Sequence, residues 1–145
     1  MRHLTEKGLN FIKDWEKFSP VVYKDAVGLP TIGYGHLVTS GEDFKEGLTE
    51  EEALDLLAKD AEKAEKSVLR NIDVPLEDYQ FNALVSFTFN AGSGALQRST
   101  LRKVVNRNEH EDVPSELMKW TRAGGRILKG LVRRRKAEGK MYSGL

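Results

Sequence analysis

The stretch from Leu76 to Ala91 constrains the fold most. Tyr79, Phe81, Ala83, Leu84, Val85, Phe87 and Phe89 leave it with almost no polar side. A helix that is apolar all round has no face to give to water, so it must lie inside and other elements must wrap it. Gly92-Ser93-Gly94 follows it and supplies a glycine stop. The chain has 145 residues and no cysteine, so this core has to hold without disulfides. The lack of cysteine also removes thiol catalysis and Cys-ligated metal sites. His3, His36 and His110 are the only histidines, and no pair has metal-site spacing, so no metal and no cofactor is expected.

The rest of the chain arranges itself around that helix. Thr5 to Phe18 reads as a helix with Leu9, Ile12 and Trp15 on one face. Thr5 can cap its start and Pro20 stops it. Residues 19–47 change period. Val21-Val22-Tyr23 and Thr31-Ile32-Gly33-Tyr34-Gly35, punctuated by Gly28, Pro30 and Gly41, predict short antiparallel strands. Thr49-Glu50-Glu51-Glu52 is a capping box opening a long helix to about Asn71. Further short helices are expected near 99–107, 114–122 and 129–142, with Gly124-Gly125 as a turn or hinge.

The expected class is α+β: a small antiparallel β-lobe and a mostly helical lobe joined by the long helix. Residues 1–145 form one domain in this reading. The β-lobe spans about 13–60, and the helical lobe about 72–145 plus the first helix, 5–18.

Net charge is only +1, yet its distribution is uneven. Residues 1–97 carry 10 basic and 17 acidic side chains, a net of −7. Residues 98–145 carry 13 and 5, a net of +8. A basic C-terminal part can concentrate the chain on an anionic polymer. The run Arg133-Arg134-Arg135-Lys136 admits a nucleic-acid-binding reading. A solvated face of an amphipathic helix, with Leu128, Leu131 and Val132 turned inward, explains it as well. No apolar run spans a membrane, so no stable membrane insertion is expected. The N-terminus has no apolar signal region, so synthesis in a cytoplasm without an export tag is expected.

With thiols and histidine clusters gone, carboxylates lead the search for chemistry. Glu16 ends the first helix beside Trp15 and Phe18. The negative end of the helix dipole and apolar neighbours both favour its protonated form, which a general acid needs. On position alone, a solvated Glu16 paired with Lys13 or Lys17 is the simpler reading. Asp25 lies in a polar loop, Tyr23-Lys24-Asp25-Ala26-Val27-Gly28, where it stays ionised or merely makes a turn. One neutral and one charged carboxyl group are what glycoside hydrolysis requires.

The spacing Glu16, Asp25, Thr31, followed by Ile32-Gly33-Tyr34-Gly35-His36, resembles the phage T4-type lysozymes, the endolysins of tailed phages and prophages. Tyr23 and Gly28 fit the same pattern. Asp78 to Gly92, Ser99-Thr100-Leu101, Trp120 and Gly130 to Arg135 are similar to later parts of that family. Lys17 departs from the glycine usual after the catalytic glutamate, and is expected to face solvent.

The resemblance implies a lysozyme-like fold and cleavage of the β-1,4 bond between N-acetylmuramic acid and N-acetylglucosamine in peptidoglycan. Glu16 would protonate the glycosidic oxygen, and Asp25 with Thr31 would hold the attacking water, with inversion. Leu37, Phe89, Asn90, Ser99 and Thr100 would line the sugar site, the Ser99/Thr100 match being ambiguous by one residue. His36 would be structural, paired with Asp60. Trp120 is expected in the core rather than as a sugar platform. The resemblance further implies a monomer that acts on the wall of its host after passing a holin pore, for phage release. A lytic transglycosylase is the nearest alternative. It uses no positioned water, so Asp25 with Thr31 argues against it.

Overall fold

The computed structural model describes residues 1–145. The chain divides into two compact units, Leu9–Glu62 and Met1–Gly8 with Lys63–Leu145. The boundary differs from the expected lobes. The first helix gives all but its opening residues to the sheet unit, not to the helical one.

The sheet unit begins in helix α1 (Glu6–Trp15). The helix stops three residues before the expected Phe18. Ser19 is already paired with Gly33 in the sheet, and Pro20 next to it cannot continue a helix. A last turn, Glu16 N–H to the Lys13 carbonyl at 2.9 Å, releases the chain into β1 (Ser19–Lys24). Strands β2 (Pro30–Gly33) and β3 (His36–Leu37) complete an antiparallel sheet ordered β1-β2-β3. Tyr23 faces Thr31 and Thr31 faces Leu37, while a bulge interrupts β1 between Ser19 and Tyr23.

Helix α2 (Glu50–Asn71) starts at the predicted capping box. The Thr49 N–H donates to Glu52 Oε1 at 2.9 Å, and the Glu52 N–H donates to Thr49 Oγ1 at 3.1 Å. Two of the amide donors left open at a helix start are satisfied reciprocally. Ile12, Ile32, Ala53, Leu57 and Ala61 form this unit's core, with the Phe18 and Tyr34 rings 5.3 Å apart beside them.

The helical unit is built on α3 (Asp78–Ala91), buried from Phe81 through Thr88 as its apolar circumference requires. Around it lie α4 (Ser93–Arg98), α5 (Thr100–Asn106), a 3-10 turn at His110–Asp112, α6 (Val113–Leu117) and α7 (Lys129–Tyr142). Not anticipated from the sequence are α4, the 3-10 turn, and a small hairpin of β4 (Arg122–Ala123) and β5 (Arg126–Ile127), and the helix expected near 114–122 ends at Leu117. Gly124 and Gly125 both take positive φ and form that hairpin's turn, so of the expected turn or hinge the structure shows the turn.

The N-terminus is fastened to this unit. The Leu4 N–H and His3 Nδ1 both reach the buried Glu65 carboxylate, and Arg2 lies over the Phe81 ring. The Thr5 hydroxyl caps α1 by accepting the Gly8 N–H.

Helix α7 corrects the reading of the basic run. Arg133 and Lys136 are exposed, but Arg134 and Arg135 are 4% and 2% exposed, among the most buried side chains in the chain. Leu128, expected inward, is partly exposed instead. The run is half surface and half interior ion-pair network, because a carboxylate on the same helix, Glu138, lies within reach of both guanidinium groups. No helix is long and apolar enough to cross a membrane.

Candidate active site

Glu16, Asp25 and Thr31 all belong to the sheet unit. Glu16 sits one residue past the end of α1 and is partly buried. Gly35 packs against its carboxylate. A Cβ built on Gly35 would fall 3.3 Å from Glu16 Oε2, and φ at Gly35 is +81°. Both the space and the backbone favour glycine there, which accounts for one of the glycines in the Thr31–His36 run. Lys17 is exposed, as expected.

Asp25 opens the β1–β2 hairpin loop. Its carbonyl accepts the Gly28 N–H at 2.9 Å, and Gly28 takes φ +86°. This is a turn led by aspartate and closed by a glycine in the left-handed region. The Asp25 side chain fixes the loop from inside. Its Oδ1 accepts the Val27 N–H at 3.0 Å and the Leu29 N–H at 2.9 Å. One carboxylate oxygen is thereby consumed by the backbone, and Oδ2 is left to the partly exposed side of the loop.

Thr31 begins the buried part of β2 at 3% exposure. Its hydroxyl donates to the Leu29 carbonyl at 3.0 Å. That bond uses the hydroxyl's only proton, so toward any further partner, such as a water, Thr31 acts as an acceptor.

His36 holds three elements together. Its Nδ1 lies 2.7 Å from Asp60 Oδ2 on α2, and its Nε2 lies 3.0 Å from both oxygens of Glu42. Its ring meets Phe44 edge-on at 6.0 Å. Burial works to lower the imidazole pKa, but the hydrogen bonds and charges of Asp60 and Glu42 outweigh it, and the net direction is upward. Glu42 is held down to about 2, chiefly by the Thr39 N–H and also by His36 and the Thr39 hydroxyl. The Asp60 contact matches the expected pairing. Glu42 was missed, because nothing in an exposed loop marks one acid among several.

The other expected substrate residues divide between the units. Leu37, on β3, is half exposed. In the helical unit Phe89 is partly buried, and Asn90 and Thr100 are exposed. Ser99 is buried and its hydroxyl is committed. It donates to the Leu96 carbonyl and accepts the Arg102 N–H as the cap of α5. Of the ambiguous pair, Thr100 is the one whose side chain faces solvent. Trp120 is partly buried, edge-on to Phe87 at 5.6 Å.

A second polar assembly lies in the helical unit. The fully buried Glu138 takes the Ser86 hydroxyl at 2.6 Å, Arg135 Nη1 at 2.7 Å and Arg134 Nε at 3.2 Å. Arg135 also donates from Nε to the Trp120 carbonyl at 2.9 Å and from Nη2 to Asn90 Oδ1. Sequence reading missed this assembly. The one available signal was Glu138 placed four and three residues after two arginines on one helix.

Comparison with known proteins covers nearly the whole chain. Residues 13–138 match the phage lysozyme family. The endolysin of Acyrthosiphon pisum secondary endosymbiont phage 1 is 35% identical over 97% of this chain and 97% of its own length. The endolysin of Bacillus phage B103 is also 35% identical over 97% of this chain, but the chain spans only 54% of that protein. The structure of an endolysin from Escherichia coli O157:H7 phage FAHEc1 superposes with a TM-score of 0.89 at 34% identity, covering 97% of this chain and 93% of the other. Family match, relatives and superposition coincide over nearly the whole chain, and the chain belongs to the phage lysozyme family.

Proposed function

We propose that the chain is a peptidoglycan hydrolase that cleaves the β-1,4 bond between N-acetylmuramic acid and N-acetylglucosamine. Glu16 is the general acid and Asp25 the base that takes the proton of the attacking water, with Thr31 accepting a hydrogen bond from the same water. The observation that supports this most is the division of labour within Asp25. Two backbone N–H groups fix Oδ1 and orient the carboxylate, which leaves Oδ2 for the attacking water. A positioned water on the face opposite the acid gives inversion at the anomeric carbon. The charge of the helical unit, 18 basic against 10 acidic residues, suits a polymer whose peptide stems carry carboxylates.

On this reading the chain works as a monomer, is made in the host cytoplasm, and reaches the wall through a holin pore to release phage. Coexpression with and without a holin tests the last step by the onset of lysis.

The first test is the fall in turbidity of outer-membrane-permeabilised Gram-negative cells. Glu16→Gln keeps the shape and removes the transferable proton, and is expected to abolish clearing. Clearing by both proteins would move the acid elsewhere. Product analysis separates the reading from a transglycosylase. New reducing ends support hydrolysis, and anhydro sugars would overturn it.

A further inference from the structure

The geometry points to His36 as a positioning residue: held at both ring nitrogens as the imidazolium, it fixes β3 against β2 and so aims the Thr31 hydroxyl at the attacking water. The proposal rests on the muramidase reading above and lies wholly within the sheet unit, Leu9–Glu62.

The contacts require a charged ring. Nδ1 lies 2.7 Å from Asp60 Oδ2, and Nε2 lies 3.0 Å from both Glu42 oxygens. An ionised carboxylate only accepts, and a neutral imidazole has a single N–H. Both contacts are hydrogen bonds at once only when both nitrogens carry a proton. Asp60 from α2 and Glu42 from the loop after β3 are the charged groups that face the ring, and the Phe44 ring meets it edge-on. The His36 side chain is only 12% exposed, so solvent does not readily replace a lost partner.

The path from this ring to Thr31 is short. His36 faces Ile32 across the β2–β3 ladder, and the next residue, Leu37, faces Thr31. The Val38 N–H donates to the Pro30 carbonyl at 2.9 Å, on the other side of Thr31. Glu42 ties down the chain just beyond, where its Oε1 accepts the Thr39 N–H at 2.7 Å and the Thr39 hydroxyl at 2.9 Å. Strand β3 is two residues long, shorter than strands that hold by their ladder alone. His36 clamps its start to α2, and Glu42 clamps its end to His36. When the ring loses a proton, one carboxylate is left facing a lone pair. The clamp opens, and the strand that carries Thr31 loses the neighbour that keeps it in place.

The test follows ring and turnover in the same protein, well below its melting temperature. NMR reads the His36 titration, and kcat is measured on soluble peptidoglycan fragments across pH. A step in kcat is expected as the ring deprotonates, a fall of roughly fivefold, the worth of about one hydrogen bond, with KM unchanged. Glu42→Gln keeps an oxygen acceptor and removes a charge. The ring titration and the step should move together to lower pH, with kcat below the step as in the unaltered chain. Asp60→Asn should produce the same joint shift from the other carboxylate, and serves where Glu42→Gln folds poorly. In Thr31→Ala the step should vanish, because the hydroxyl it acts on is gone. A titration that moves while the step stays assigns the step to Glu16 and overturns the proposal. A kcat indifferent to the ring, or a step that survives in Thr31→Ala, overturns it as well. No turnover by the unaltered chain overturns it together with the muramidase reading.

Discussion

Asp25 and Leu29 are bonded to each other twice: the Leu29 N–H donates to Asp25 Oδ1, and the Asp25 N–H donates to the Leu29 carbonyl. The same Leu29 carbonyl accepts the Thr31 hydroxyl. One residue of main chain therefore fixes the carboxylate and the hydroxyl that hold water in the proposed reaction. The five-residue loop acts as a rigid bracket, and its side chains separate into roles that mutation can resolve.

Asp25→Asn should keep the bracket, because an amide oxygen still accepts both N–H groups. Charge and basicity are lost. Peptidoglycan hydrolysis is expected to fall about 100-fold or more, a typical loss for a general base, while the urea midpoint stays close to that of the unaltered chain. A large drop in the midpoint would instead mark Asp25 as a turn residue only.

Thr31→Ala removes a buried hydroxyl and its bond to the Leu29 carbonyl. A loss of about 1 kcal/mol of stability is expected, together with reduced kcat. Thr31→Ser should recover most of kcat, since the hydroxyl remains. Equal kcat in the alanine and serine variants would remove Thr31 from the reaction.

Gly35→Ala meets two obstacles, a left-handed φ and the Glu16 carboxylate 3.3 Å from the new Cβ. The backbone alone costs roughly 1–2 kcal/mol. Displacement of Glu16 should lower kcat beyond what the fraction unfolded explains. Activity measured well below the melting temperature, where the variant is fully folded, checks this.

The His36 cluster predicts a pH window. The folded-state pKa of His36 is raised, so its contribution is complete below the unfolded value near 6.5 and is lost as pH rises through the folded value. Glu42 is depressed to about 2, so its contribution is complete above 4.5 and is lost as pH falls toward 2. The pair is strongest between about 4.5 and 6.5. Denaturant melts across pH 3 to 9 should show stability from this cluster peaking there. Glu42→Gln should flatten both flanks. A profile unchanged by that substitution would dissociate the cluster from stability.

Glu138→Gln leaves the Arg134 and Arg135 guanidinium groups without their shared buried carboxylate. Breaking a buried ion pair from one side costs about 3–5 kcal/mol, so a marked fall in the urea midpoint is expected. Ser86→Ala removes one neutral hydroxyl, which donates to Glu138 and accepts from Arg134, and should cost about 1 kcal/mol. Similar midpoints for the two variants would refute the pivotal place of Glu138.

What the sequence determined by itself is local. Thr49 and Glu52 cap α2 over three residues, Asp25 and Gly28 make a turn over three, and the Leu76–Ala91 composition announces a buried helix. These depend on bonds within one turn of chain, so neighbouring residue types suffice to read them. Position alone leaves Glu16 a solvated acid and Asp25 a turn residue, and only the resemblance joins them with Thr31 as a set. Tertiary structure alone decided the fate of Arg134 and Arg135. A surface helix and a buried ion-pair network share the same basic run, and partners distant in sequence distinguish them: the hydroxyl of Ser86, 52 residues from Glu138, the Asn90 amide, 45 residues from Arg135, and the Trp120 carbonyl. It likewise decided which acid would hold His36 beside Asp60, and that Ser99 would spend its hydroxyl on a helix cap. Burying a charge is favourable only when its partners are already in place. Those partners are brought together by the packing of distant segments, which no local pattern records.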